Sequence, residues 1–492
     1  MTRTVIIGLD AFHHDLLEYT PYIQRLVNDN ISSELQSTNP PLTAAAWASF
    51  QTGKQQGKHG VFDFVSYQNG DMEYNTGEDL KSKTFYEYLY EGENDIFLWN
   101  LPLCFPARIE GDIVPSWLDD QTEPTPADIY DKYSIEPPQY PTLSGTSKQK
   151  IEKLSKSFTH NSKQFRKVLN EDDHDILFQL VSVTDWLQHA GYKELKQNPE
   201  SEIATAVREV LAEVDDYIKD IDNSLYEEDN LLLISDHGFR IFDRLFYAND
   251  WLEKNRYLKT GTREKSEDKN LQNLSKVSVG KIGRKLLQFD SIRPFLKQIK
   301  DLLQSAGFIL EAKKEIDLES SIAYCRSKDE AGIRINRIPE SKEESAIIKE
   351  IIKGINEIDG ISAKERYEVY YGPYTDDAAE IIVSSNEMKM NDGPIGQTIL
   401  DESIAHHDSD GIFVAKGQDI TSNLDSPNLI DIAPTLLHLC DMKVPNDMDG
   451  DVVISQSNKE VEYFDPPQYQ APQEKESTHG EVEDRLENLG YL

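Results

Sequence analysis

Three runs, "TVIIGLD" (4–10), "DILFQLVSVTD" (175–185) and "NLLLISD" (230–236), are apolar at consecutive rather than alternate positions, and each ends at an aspartate. A strand with one wet face alternates polar and apolar residues, so an unbroken apolar run requires cover on both faces, as in a central parallel strand. Amphipathic helical patterns separate the runs: "LLEYTPYIQRLVND", with Pro21 marking a start, a long stretch near 148–172, and "EIATAVREVLAEVDDYIKDI". With the apolar "DIFLWN", this strand-helix alternation predicts an α/β fold with a doubly wound, mostly parallel sheet sandwiched by helices.

The remainder divides the chain into four expected parts. Residues 1–255 form the first part of the core. Residues 256–316 form a basic helical insertion or cap, because eleven Lys and Arg between 257 and 300 stand among few acids. Residues 317–455 form the second part of the core, with strands "GIRINR", "YEVYYG", "AEIIVSS" and "GIFVAKG", the helix "SKEESAIIKEIIKGINEI" and a closing helix "LIDIAPTLLHLC". Residues 456–492, rich in Pro, Gln and Glu, form a polar tail with a short terminal helix.

A formal net charge of −37 argues against a nucleic acid polymer or an anionic membrane as partner, since both would be repelled. A small anionic substrate would then need a local cation such as a metal. The same acidity fits life in concentrated salt, where screening removes self-repulsion. No segment approaches the ~20 apolar residues of a spanning helix, and the N-terminal apolar run is too short for a signal peptide, so a cytoplasmic protein without a transmembrane segment is expected. Cys104, Cys325 and Cys440 lie far apart without a CxxC pair and read as reduced core thiols. Oligomeric state is not legible.

Asp10, Asp185, Asp236 and His237 stand at or just past the carboxyl ends of apolar strands, the edge at which an open parallel sheet binds ligands. Carboxylates gathered there repel one another unless protonated or bridged by cations, and mixed Asp/His donors suit Zn²⁺ or Mn²⁺. His189 follows Asp185 by four residues and reaches the same point if a turn of helix follows the strand; His407 adds another imidazole. Taken singly, such an aspartate is more often a helix cap or Asx turn, and a lone His such as His160 or His174 is usually surface. Thr43 in "NPPLTAAAWASFQTG" offers a hydroxyl just before a helix of small residues, where free N–H groups attract an anion. Its commoner role would be a plain N-cap.

The ordered series "GLDAF", "PPLTAAAWASFQTGKQQGKHGVFDF", "TDWLQH", "SDHGF", "HHDSDGIFVAKG" and "LIDIAPTLLHLCDMKVPNDMDGDVV" resembles the alkaline phosphatase superfamily, in its type I phosphodiesterase/nucleotide pyrophosphatase branch. The likeness runs from about 4 to 454 and is weakest over 257–315. It implies an alkaline-phosphatase-like core with two divalent ions, Zn²⁺ or Mn²⁺. One ion would be held by Asp10, Thr43, Asp236 and His237, the other by Asp185, His189 and His407, with His406 the competitor for the last place. It implies Thr43 as nucleophile in a two-step in-line cleavage of a phosphodiester or phosphomonoester through a phosphothreonine, on a small phosphorylated substrate. A phosphomutase of the same superfamily, or a non-catalytic binding protein on this scaffold, is the alternative. Where nucleotide pyrophosphatases place a phosphate-binding Asn after "HG", this chain has Asp63 and Phe64; that segment and "MDG" look more like a prokaryotic phosphohydrolase/phosphomutase group. A sulfatase is disfavoured, because its C/S-x-P-x-R motif is missing. Lys54 and Lys58 read as solvated surface lysines, Trp47 and Phe64 as aromatic core, and His59 as a turn-fixing hydrogen bonder. His13 and His14 stay unassigned.

Overall fold

The apolar runs associate into a seven-stranded sheet because no single strand can cover both of its faces alone. The computed structural model describes residues 3–68, 71–119, 122–171, 174–261, 315–393, 395–418, 420–422, 426–456, 459–469 and 486. The elements that build the site are, in chain order, β1 (Thr4–Leu9), α1 (Pro21–Asp29), β2 (Ile31–Gln36), α2 (Thr43–Thr52), β3 (Ile96–Trp99), β4 (Asp112–Val114), α3 (Ser147–Glu171), β5 (Ile176–Val181), α4 (Val183–Gln197), α5 (Glu202–Ser224), β6 (Asn230–Ile234), β7 (Gly238–Phe242), β8 (Ile404–Asp408), β9 (Asp410–Lys416) and α6 (Ile432–Leu439).

The strand order is β2-β9-β6-β1-β5-β3-β4. From β6 to β4 all neighbours are parallel, while β9 runs antiparallel to both β6 and β2. The carboxyl ends of β1, β2, β5 and β6 therefore share one edge with the start of β9. Side-chain alternation along β1 splits the core in two: Val5, Ile7 and Leu9 pack with Leu154, Phe165, Leu187 and Leu211 from α3, α4 and α5. Ile6 packs on the other face with Trp47 and Phe50 of α2 and Leu436 of α6. Helices thus cover both faces, as a doubly wound sheet requires. Gly8 lets α2 approach, since a Cβ there would lie 2.7 Å from the Trp47 ring. Gly53 ends α2 in the left-handed region at φ 64°, which glycine adopts without a steric penalty.

The chain divides into two compact units, and the division differs from the one expected. One unit comprises Met1–Phe242, Lys364–Ala378 and Ser403–Leu492; the other comprises Asp243–Ala363 and Ala379–Glu402. Of residues 317–402, only Lys364–Ala378 belong to the first unit. Gly332–Ile335 pairs antiparallel with Ile381–Ser384 in a separate small sheet, and Phe246, Ile333, Ile351 and Ile381 bury one another in a core of their own. An apolar run signals a strand but not the sheet it joins. The basic stretch lies outside the described residues beyond 261, and with it the expected helical insertion; the expected terminal helix lies outside them apart from Leu486. The described start of the tail lies against the first unit, with Tyr463–Phe464 pairing alongside Val444–Pro445. The three cysteines are free and buried.

Two local expectations are corrected. "YEVYYG" is not a strand: Arg366–Val369 is a short helix, because Glu365 and Glu368 form a reciprocal capping box. His174 is not on the surface but fully buried, with Nε2 3.1 Å from Asp112 Oδ2. Lys132 Nζ, 2.7 Å away, and the Tyr133 hydroxyl donate to the same oxygen. Burial alone would raise the Asp112 carboxyl, but the bonds from His174, Lys132 and Tyr133 hold it down to about 2. A carboxylate depressed in the folded state stabilises above its unfolded value of ~3.9, and that contribution is lost as pH falls toward the folded value. Asp112→Asn is therefore expected to lower the urea unfolding free energy by roughly 2 kcal/mol at pH 7. The gap to the parent chain should close between pH 4 and pH 2 and stay constant above pH 5.

Candidate active site

Each expected site residue lies within the first unit, and the fold carries them to one place. Asp10 follows β1 directly; Asp236 and His237 follow β6 after Ser235; Asp185 and His189 sit four apart on one face of α4, which starts two residues after β5. His407 lies on β8, which pairs antiparallel with β7 in register His407↔Phe239, so the two segments that leave the sheet edge run side by side. All these side chains are buried except that of His189, which is 18% exposed.

Two groups of donors result. In the first, His237 Nε2 lies 3.2 Å from Asp236 Oδ2 and 3.8 Å from Asp10 Oδ1. In the second, His407 Nε2 lies 3.2 Å from Asp185 Oδ1 and 3.0 Å from His189 Nε2, and His189 Nε2 is 3.4 Å from the same Asp185 oxygen. One ligand atom each from Asp10, Asp236 and His237 fall within 4.8 Å of one another, and so do those from Asp185, His237 and His407. The His237 and His407 rings stack with centroids 4.0 Å apart, which brings the two groups side by side. The imidazoles are held by their other nitrogens: His237 Nδ1 is 3.1 Å from Gly238 O and His407 Nδ1 is 3.3 Å from Pro41 O. Such bonds fix the tautomer and aim Nε2 at the cluster.

Thr43 is the first residue of α2, not its cap. The N-cap position is Leu42, which makes no side-chain cap bond, and Thr43 Oγ1 lies 3.1 Å from His237 Nε2. The hydroxyl is thus turned to the donor cluster rather than to its own helix. Asp185, in the first turn of α4, is likewise not at the N-cap, which is Ser182.

The electrostatics of the bare cluster are strained. Burial, reinforced by the facing carboxylates of Asp236 and Asp185, pushes the Asp10 carboxyl well above its ordinary range. Burial pushes Asp236 up to about 8, with Asp185 adding to the effect. Burial acts in the same sense on Asp185, yet the imidazoles of His189 and His407 hold it well below the usual carboxylate value. Burial, helped by His407, keeps His237 neutral, far below the ordinary imidazole value. Asp10 Oδ1 and Asp236 Oδ2 are buried and accept no hydrogen bond among the described residues. Carboxylate oxygens left in this way beside the neutral His237 imidazole are the donor chemistry of a Zn²⁺ or Mn²⁺ site, so the residues present fit the expected ions.

The other candidates fall away from the cluster. His406 accepts the backbone N–H of His407 at Nδ1, 2.8 Å away. His59 bonds Ser49 Oγ at 2.9 Å and accepts from Val61 N at 3.2 Å, fixing the turn after α2. Trp47 and Phe64 are core. Lys54 is not a solvated lysine: it is buried, with Nζ 2.5 Å from Asp447 Oδ2. Lys58 pairs with Asp449 beside it. Their partners lie almost 400 residues away in sequence, which is why local reading misplaced them. Local reading also left out the layer behind the ligands. Thr184 and Gln188 are buried there and hydrogen-bonded to the loop that carries Asp10, Gln188 also to the side chain of His13 in that loop.

The model of the type I phosphodiesterase/nucleotide pyrophosphatase family matches residues 4–329. No curated protein matches the chain significantly in sequence. Among solved structures, phosphonoacetate hydrolase from Sinorhizobium meliloti 1021 superposes with a TM-score of 0.55 at 15% identity, over 88% of this chain and 94% of its own. The alkaline phosphatase PafA gives 0.52 at 13% identity, over 92% and 99%. Human ectonucleotide pyrophosphatase/phosphodiesterase 5 gives 0.50 at 12%, over 90% and 95%. At such identities these likenesses establish the fold.

Proposed function

The chain belongs to the type I phosphodiesterase/nucleotide pyrophosphatase family of phosphoester hydrolases, and within that family we propose that it is a metal-dependent phosphohydrolase with Thr43 as its nucleophile. The observation that carries the reading is the Thr43 hydroxyl, 3.1 Å from His237 Nε2 at the start of a ten-residue helix and released from capping that helix. Asp10, Asp236, His237 and Thr43 would hold one divalent ion, and Asp185, His189 and His407 the other. When bound, the ions would balance the buried carboxylates, favour the ionised hydroxyl and neutralise charge on the phosphoryl oxygens.

The chain's own groups account for the rest. The unpaired N–H groups of the first turn of α2 favour an anionic phosphoryl group at its N-terminus. Thr43 Oγ1 attacks phosphorus as the bond to the leaving alcohol breaks in line, giving a phosphothreonine; water then cleaves that ester and returns the hydroxyl. Burial of Thr43 and its neighbours excludes bulk solvent, so fixed dipoles and charges act at low dielectric. The substrate is a small phosphorylated molecule, as a diester or a monoester. Assay of the zinc-loaded chain against bis-(p-nitrophenyl) phosphate and p-nitrophenyl phosphate is expected to release p-nitrophenol from at least one of them. Absence of turnover on both, with zinc bound, would contradict the proposal.

A further inference from the structure

Behind the site the chain makes a turn that an alanine does not adopt unaided. Ala11 sits at φ 56°, in the left-handed region that a residue bearing a Cβ enters only at a steric cost. In that conformation its N–H donates to Asp236 Oδ1 at 3.1 Å. Its carbonyl turns to α4 and accepts from Gln188 Nε2 at 2.9 Å. The same amide nitrogen donates to Thr184 O at 3.2 Å, and Gln188 Oε1 lies 2.9 Å from His13 Nε2. Thr184 Oγ1 donates to the carbonyl of Asp10 at 2.6 Å. Every group in this chain of bonds is buried. Thr184 and Gln188, one helical turn apart on α4, thus grip the carbonyls of Asp10 and Ala11 and the His13 side chain, while Asp185 and His189, each one residue further on, face the second group of donors.

Resting on the two-ion reading above, we infer that Gln188 is a positioning residue for the other ion. It locks the left-handed turn at Ala11 and so aims the carboxylates of Asp10 and, through the Ala11 N–H, Asp236, although its flanking residues Asp185 and His189 serve the second centre. A side chain of the same length without the amide would leave Ala11 O and His13 Nε2 buried without their partner, and the turn would lose what holds it.

Zinc titration of the full chain against a chromophoric chelator reads each centre separately when the other is disabled. On an Asp185→Ala background, where the first centre remains, Gln188→Met is expected to weaken zinc binding by about 10- to 100-fold. On an Asp10→Ala background, where the second remains, the affinity should not change. Adding Ala11→Gly to Gln188→Met should recover part of the lost affinity, because glycine takes the left-handed turn without a steric penalty; a residue that only supports packing would show no such rescue. Gln188→Glu, which keeps the shape but cannot donate to Ala11 O as a carboxylate, should show the same selective loss and serves if the methionine variant does not fold. Equal loss at both centres, or none at the first, overturns the inference. If the unsubstituted chain binds two zinc ions, that result leaves the proposed function standing. If the unsubstituted chain binds none, the function reading falls and this inference with it.

Discussion

Thr43→Ala is expected to cut turnover of a p-nitrophenyl phosphoester by on the order of 10³- to 10⁶-fold, the range seen when a covalent nucleophile is removed. Stability should hardly move. Had Thr43 been the N-cap, its loss would cost about 1 kcal/mol; but Leu42 occupies that position without a side-chain cap bond, and alanine is a better helix former than threonine. Zinc stoichiometry should also survive, because Asp10, Asp236 and His237 remain. Thr43→Ser keeps a hydroxyl and should retain measurable turnover. The combination of lost rate, kept stability and kept metal separates a nucleophile from a structural residue. A Thr43→Ala variant that turns over at the parent rate would refute the assignment.

Removal of the ions should abolish activity and produce a stability signature whose sign follows from the buried carboxylates. In the bare cluster Asp10 and Asp236 titrate far above an unfolded aspartate, Asp236 at about 8. Below pH ~4 both folded and unfolded states hold these protons, so the groups contribute nothing to the pH dependence. As pH rises from ~4 toward 8, the unfolded chain releases protons that the folded chain keeps, and the apoprotein loses stability throughout that window. Bound divalent ions would displace those protons and lift the penalty. The rise in Tm on adding zinc to chelator-treated protein should therefore be larger at pH 8 than at pH 5. At a free zinc concentration 100 times Kd, one site stabilises by ~2.7 kcal/mol. A zinc-induced shift equal at both pH values, or full activity after chelation, would contradict the account.

The parts of the molecule legible in the sequence were those whose signal is local. Unbroken apolar runs marked β1, β5 and β6, and the residue after or near each run had to lie at the carboxyl edge, so Asp10, Asp185 and Asp236 could be placed together before any coordinates. The i,i+4 spacing of Asp185 and His189 needed only the helix that follows β5. Less legible was anything decided between distant segments. "GIRINR" and "AEIIVSS" have strand composition, yet nothing in it tells that they pair with each other rather than with the main sheet. Tyr and Val in "YEVYYG" favoured a strand until the capping box of Glu365 and Glu368 tipped the balance. Lys54 looked solvated because Asp447 is far away in sequence. His174 looked ordinary because its partners, Asp112 and Tyr133, are 62 and 41 residues distant. Gln188 stands inside "TDWLQH", yet nothing in that motif singles it out; its proposed role depends on a turn at Ala11 that only the backbone angles reveal.

Aspartate and histidine at strand ends are individually commonplace; what supports the proposed cations is their gathering in one buried cluster, where Asp10 Oδ1 and Asp236 Oδ2 accept no hydrogen bond among the described residues. Among the described residues no helix is long and apolar enough to cross a membrane.

Crystals of the chain grown with zinc, with anomalous diffraction recorded at the zinc absorption edge, put the whole account to one measurement. It predicts two peaks roughly 4 Å apart, one bounded by Asp10, Asp236 and His237 with the Thr43 hydroxyl beside it, the other by Asp185, His189 and His407. No peak at either group, or a peak with the Thr43 hydroxyl turned away from it, would contradict it.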